Sequence, residues 1–128
     1  MKYLLDTHSL LWWLNDDQQL SKVARDIIGS TDNDIYVSAA SAWEIATKFA
    51  KGRLPTASLI LPDFQGVVHE EGFKELQISS EHMVRSAFLP GAHRDPFDRI
   101  LAAQSIAENM VLISIDQQIP SLGVTVLW

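Results

Sequence analysis

The sequence predicts an α/β domain of three layers, with a central, mostly parallel sheet covered by helices on both faces. Three observations carry this. Apolar runs of strand type alternate with stripes of helical period along the chain. One run, "MVLISI" (110 to 115), is continuously apolar, as a strand covered on both faces would be. The chain has 128 residues, 47% apolar and 20% charged, which suits a single domain spanning residues 1–128. It has no internal repeat, linker or low-complexity stretch.

In chain order, "KYLL" ending at Asp6 reads as the first strand. Trp12 and Trp13 follow on a short helix; being adjacent, they cannot share one helical direction, so either one meets the core and the other a partner, or the whole helix is buried. Val23, Ala24, Ile27 and Ile28 form a helical stripe, and "DIYVS" (34 to 38) is a β-branched and aromatic strand. A helix over 42–51 is marked by Ser41 and Glu44 in the S-x-x-E capping pattern and by Gly52 at its stop. Phe64, Val67 and Val68 form a stripe after Pro62, "KELQI" (74 to 78) alternates as a strand, and Met83, Val84, Ala87 and Phe88 form a stripe behind Ser79 and Ser80. In "HRDPFDR" (93 to 99), Asp95 is placed to cap a helix that starts at Pro96 and continues through Phe97, Ile100, Leu101 and Ala103. "MVLISI" and the closing "VTVLW" after Gly123 are the last strands.

Composition excludes several classes. With no cysteine there is neither a disulfide framework nor a thiolate metal site. The apolar start is interrupted by Asp6 and His8, and no small-residue cleavage site follows, so no signal peptide is expected. The run from Leu10 to Leu14 is too short to span a bilayer, and a soluble intracellular protein without a membrane partner is expected. A net charge of −6 argues at first sight against nucleic acid, though the distribution matters more than the sum.

In open parallel sheets, ligands bind beyond the carboxyl ends of the strands. Asp6 ends the first strand and Asp116 follows "VLISI" by one residue. Glu44 lies in the first turn of the helix after the second strand, and Asp98 in the first turn of the helix before "VLISI". Four acids from distant places therefore converge on one rim. Clustered carboxylates repel one another unless a counter-charge is supplied. A hard divalent cation such as Mg²⁺ or Mn²⁺ supplies it, and such a site is suited to phosphoryl chemistry.

The residues then meet a known family. "LLDTHSLLWWL", "SAASAWEIATKFAKGRL", "HRDPFDRILAAQSIAENMVLISID" and "GVTVLW" together resemble the PIN-domain ribonucleases, and specifically the VapC-type toxins of prokaryotic toxin–antitoxin pairs, nearly end to end. The resemblance implies a PIN fold, a cytoplasmic metal-dependent endoribonuclease, homodimerisation, and a cognate antitoxin covering the active site. It places the acidic quartet on Asp6, Glu44, Asp98 and Asp116, holding one or two Mg²⁺ or Mn²⁺ ions, with Thr7 arranging the site. Asp95 is an extra acid of the "DPFD" form, open to reading as ligand or as helix cap. The implied reaction is hydrolysis of an RNA phosphodiester by a metal-activated water, leaving 5′-phosphate and 3′-hydroxyl ends. Transfer or ribosomal RNA is the substrate class such families select.

Lys48, Lys51, Arg53, Arg94 and Arg99 lie near these acids in sequence and are candidates to meet phosphate at the pocket rim, with His93 at its edge. The ordinary alternative is a solvated surface. Histidines 8, 69, 82 and 93 show no shared ligand spacing and read as surface or supporting groups. A haloacid-dehalogenase-type phosphatase would need a second Asp where His8 stands, and a receiver domain would need a paired acid and a late lysine that are not evident. The rival of a different class is an inactive PIN-fold module that only binds RNA or an antitoxin. If the acids repel one another, Asp6→Ala should leave the fold largely intact.

Overall fold

Leu4 and Leu5 are both wholly buried on the central strand β1 (Lys2–Leu5), and they belong to the two different apolar clusters that sandwich the sheet. The structure, a computed structural model, describes residues 1–128. β1 pairs in parallel with β2 (Asp34–Ser38) on one side and β4 (Val111–Ile113) on the other. β3 (Lys74–Leu76) and β5 (Val126–Leu127) form the edges, giving the wholly parallel order β3-β2-β1-β4-β5. The chain works outward from β1 to β3 and then returns to the other side of β1. The strand order therefore reverses between β1 and β4, which is where such sheets open a crevice for ligand.

One cluster joins Leu5, Val37 and Ile113 of the sheet to Leu10 and Leu11 of α1 (Thr7–Leu14), Ala24 and Ile28 of α2 (Lys22–Gly29) and Val68 of α4 (Phe64–Glu70). The other joins Leu4 and Leu112 to Ile100, Leu101 and Ala102 of α6 (Pro96–Ala107) and to Ile119 and Leu122 of a short 3₁₀ turn. This is the three-layer arrangement that the alternating pattern predicts. No helix is long and apolar enough to cross a membrane.

Four expectations need correction. α3 (Ala39–Ala50) starts three residues earlier than the capping pattern predicts, because Ser38 Oγ, not Ser41, accepts the free N–H of Ala40. Glu44 therefore sits in the second turn, and Ser41 is buried inside the helix; the end is as expected, with Gly52 at φ +78° beyond it. β4 stops at Ile113, since Ser114 Oγ accepts from the N–H of Asp116 and turns the chain away from the ladder.

The third concerns α5 (Ser80–Phe88), whose apolar stripe faces solvent: Val84 is 61% and Phe88 84% exposed. Its buried residue is His82, whose Nδ1 accepts from the N–H of Ser79 in a reciprocal cap while Nε2 lies 3.1 Å from Glu108. That polar anchor turns the helix, so His82 is not a surface group. Lastly, both tryptophans of α1 pack half-buried against the core, Trp12 edge-on to Trp128 and Trp13 against Phe73, so the two do not divide between core and solvent.

The segment between α5 and α6 is tied down at both ends. Gly91, at φ +85°, lies so close to Ser121 that a Cβ would approach its carbonyl oxygen to 2.8 Å. Arg99 of α6 donates through all three nitrogens to the carbonyls of Ser86, Leu89 and His93.

Candidate metal and nucleic-acid site

Asp6 follows β1 directly, with its N–H on the Ile113 carbonyl of β4 and its side chain capping α1 at the N–H of Ser9, 2.8 Å away. It is buried, and that burial lifts its carboxyl above the usual range against the opposing hydrogen bonds of Ser114 and Ser9. Thr7, next in the chain, places its hydroxyl 2.6 Å from Glu44 Oε1 and 3.1 Å from Ser41 Oγ. Lys48, one turn along α3, donates to the other Glu44 oxygen at 2.6 Å. Glu44 is buried with both oxygens engaged.

Asp98 stands in the first turn of α6, whose cap is Asp95: Asp95 Oδ1 accepts from the N–H groups of Phe97 and Asp98. Asp95 is thus a helix cap, and it also reaches the wall of the acidic pocket. Burial pushes the Asp98 carboxyl up to about 6; the hydrogen bond from His93 works against this, and the charges of Asp95 and Asp6 add to it. His93 Nε2 lies 2.8 Å from Asp98 Oδ2, which raises the imidazole above its ordinary value. Asp116 Oδ2 lies 3.8 Å from the same nitrogen, and its Oδ1 accepts from the N–H of Gln118.

These groups line one pocket of about 150 Å³, with Asp6, Glu44, Asp98 and Asp116 on its wall beside Thr7, His8, Lys48, His93, Asp95 and Ile115. The donor set fits a hard divalent cation. Burial discourages Asp6 and Asp98 from ionising, and ligand atoms of His93, Asp98 and Asp116 lie within 4.8 Å of one another.

The basic residues divide. Lys48 points into the pocket, and Lys51, Arg53 and Arg94 are exposed. Arg99 spends three of its five donors on backbone carbonyls, which ties it to the segment before α6, and it lines a shallow pocket beside Arg94. His93 is inside the acidic cluster rather than at its edge, and Gln118 and Ser114, which orient Asp116, were not marked by any motif. The one available signal was spacing, since each lies two residues from Asp116 in a turn.

The family model described as PIN domain matches residues 3–124. Ribonuclease VapC22 of Mycobacterium tuberculosis is 29% identical over 119 residues, covering 92% of this chain and 89% of that protein. Among solved structures, VapBC2 from Rickettsia felis bound to a DNA fragment from their promoter superposes with a TM-score of 0.73 at 16% identity, covering 99% of this chain and 98% of that one. FitAcB from Neisseria gonorrhoeae superposes with a TM-score of 0.69 at 15% identity, covering 98% and 96%. At these identities the structural likeness speaks for the fold.

Proposed function

The chain belongs to the PIN domain family, and from that premise we propose that it is a metal-dependent endoribonuclease serving as the toxin of a toxin–antitoxin pair. The observation that carries this reading is the convergence of Asp6, Glu44, Asp98 and Asp116, from four distant stretches, on one small pocket at the strand ends. The similarity to a protein named ribonuclease VapC22, and to toxin–antitoxin complexes by fold, supports the substrate and the antitoxin.

The four acids would hold one or two Mg²⁺ or Mn²⁺ ions. When bound, such an ion supplies an activated water and offsets charge on the scissile phosphate. The protein's own residues do the rest. Thr7 keeps Glu44 turned inward, Asp95 orients the first turn of α6 so that Asp98 faces the pocket, and Lys48 is the nearest positive charge for a phosphate. Lys51, Arg53 and Arg94 meet the RNA backbone further out, where contacts position the strand without reading its sequence. Cleavage leaves 5′-phosphate and 3′-hydroxyl ends, on a structured RNA of the transfer or ribosomal class, in the cytoplasm. The exposed apolar face of α5 supports a homodimer.

The test is cleavage of a structured RNA pool with Mg²⁺ or Mn²⁺, beside an EDTA control and Asp98→Asn. Cleavage lost in both controls is the expected result. Cleavage that survives EDTA, or products carrying a 2′,3′-cyclic phosphate, would overturn the proposal. An intact acid set argues against the inactive-module reading, which predicts Mn²⁺-independent RNA binding and no cleavage.

A further inference from the structure

We propose that His93 contributes an imidazole nitrogen to the cation site, held for that role by Gln118, and that the site therefore prefers Mn²⁺ to Mg²⁺. This rests on the metal-nuclease reading above and adds to the carboxylate set a donor of another kind.

The His93 side chain is 11% exposed, and each ring nitrogen faces an acceptor. Nδ1 lies 2.9 Å from Gln118 Oε1, and an amide oxygen can only accept, so Nδ1 carries a proton. Nε2 then points at Asp98 Oδ2, 2.8 Å away, with Asp116 Oδ2 at 3.8 Å. A carboxylate oxygen also accepts, so this contact is closed either by a proton on Nε2, as in the hydrogen bond described above, or by a cation.

One proton on Nε2 would satisfy Asp98 alone. Asp116 Oδ2 is too far for a hydrogen bond to that nitrogen and meets no other protein donor, on a side chain 37% exposed, while Asp116 Oδ1 is turned away onto the N–H of Gln118 at 2.8 Å. A cation satisfies all three atoms at once, and they lie within 4.8 Å of one another. Gln118 orients both ligands, the imidazole through its side chain and Asp116 through its backbone. An outer group that fixes the tautomer and direction of a ligating histidine is the general pattern around protein-bound metals. Mn²⁺ shares with Mg²⁺ a liking for oxygen donors, but Mg²⁺ is the more exacting in geometry and gives up its waters reluctantly, so one imidazole among the carboxylates tilts selection towards Mn²⁺.

Pulsed electron paramagnetic resonance on the full chain, labelled with ¹⁵N-histidine and loaded with Mn²⁺, reads the nitrogen directly in the unmutated protein. A coupling lost in His93→Gln and kept in His8→Gln is expected, His8 being the other histidine on the pocket wall. Calorimetry with Mn²⁺ and with Mg²⁺ should show His93→Gln weakening Mn²⁺ by roughly tenfold or more, with a smaller change for Mg²⁺. Mn²⁺ that binds the unmutated chain without nitrogen coupling, or a coupling that persists in His93→Gln, overturns this inference and leaves the nuclease reading standing. Failure of Mn²⁺ to bind at all overturns both.

Discussion

Thr7 Oγ1 and Glu44 Oε1 lie 2.6 Å apart, fastening the start of α1 to the second turn of α3. Glu44 is buried, so losing this hydroxyl leaves a carboxylate oxygen unpaired. Thr7→Val is expected to lower stability in urea unfolding by about 1–3 kcal/mol and to slow RNA cleavage, while Thr7→Ser keeps both. Cleavage by Thr7→Val at the unmutated rate would show that Glu44 needs no such hold.

In the folded protein Asp6 and Asp98 are raised by burial, Asp98 from 3.8 to about 6, and His93 is raised above 6.5 by its bond to Asp98. All three shifts make the fold bind protons more tightly than the unfolded chain, and such a fold loses stability as pH rises. For the Asp98 carboxyl the loss runs from pH 3.8 to about 6; for His93 the stabilisation is whole below 6.5 and fades as pH climbs through its raised value. In EDTA, the melting temperature should therefore fall as pH rises from about 4 and go on falling past 6.5 as His93 loses its proton, and Asp98→Asn should flatten that slope. Saturating Mn²⁺ should raise it more at neutral than at acid pH. A flat metal-free profile would contradict the burial of these groups.

Asp6 has two roles with opposite effects on stability. Asp6→Ala removes a repelling buried charge but also the cap on Ser9, a loss of about 1 kcal/mol, so the fold is not indifferent to it. Asp6→Asn keeps an acceptor for that N–H. Thermal melts should find Asp6→Asn the more stable of the two, by about 1 kcal/mol, with both inactive on RNA.

Arg99→Ala should destabilise by roughly 2–3 kcal/mol in denaturant titration, because three buried or half-buried carbonyls lose a charged donor together. Arg99→Lys cannot reproduce the planar fork and should recover little. On an Asp98→Asn background that binds without cutting, RNA affinity should be less sensitive to Arg99→Lys than to Arg94→Ala. The reverse order would make phosphate binding the larger role of Arg99.

The homodimer proposed above predicts that Phe88→Glu combined with Val84→Glu gives a monomer in light scattering, with little loss of melting temperature, since neither side chain is buried in the single chain. A dimer that persists would place its interface elsewhere.

How legible this was depended on whether neighbours in sequence decide the matter. "DIYVS" reads as a strand from its residues alone, and Asp95 with Pro96 declares a helix start, because both are local preferences. In "SAASAWE" two serines can each cap, and the choice of Ser38 is made by contact with distant groups: Thr7 takes Ser41 into the interior, and Gln104 takes the Ser38 hydroxyl. The stripe on α5 has ordinary helical spacing, but which face turns inward is set by His82 on Gln104 and Glu108, over twenty residues away. His93 joined the site for the same reason, through Gln118, twenty-five residues on.

β1 is laid against β4 by the pairs Tyr3 with Val111, Leu4 with Leu112 and Leu5 with Ile113. The strand bearing the first acid thus waits for one near the other end of the sequence, a long loop to close. During synthesis, at roughly 5–20 residues per second, several seconds separate the appearance of Asp6 from that of Asp116. A nascent chain halted before residue 111 has no β4 on which to seat Asp116 beside Asp6, so the pocket at the strand ends cannot close until those residues have emerged.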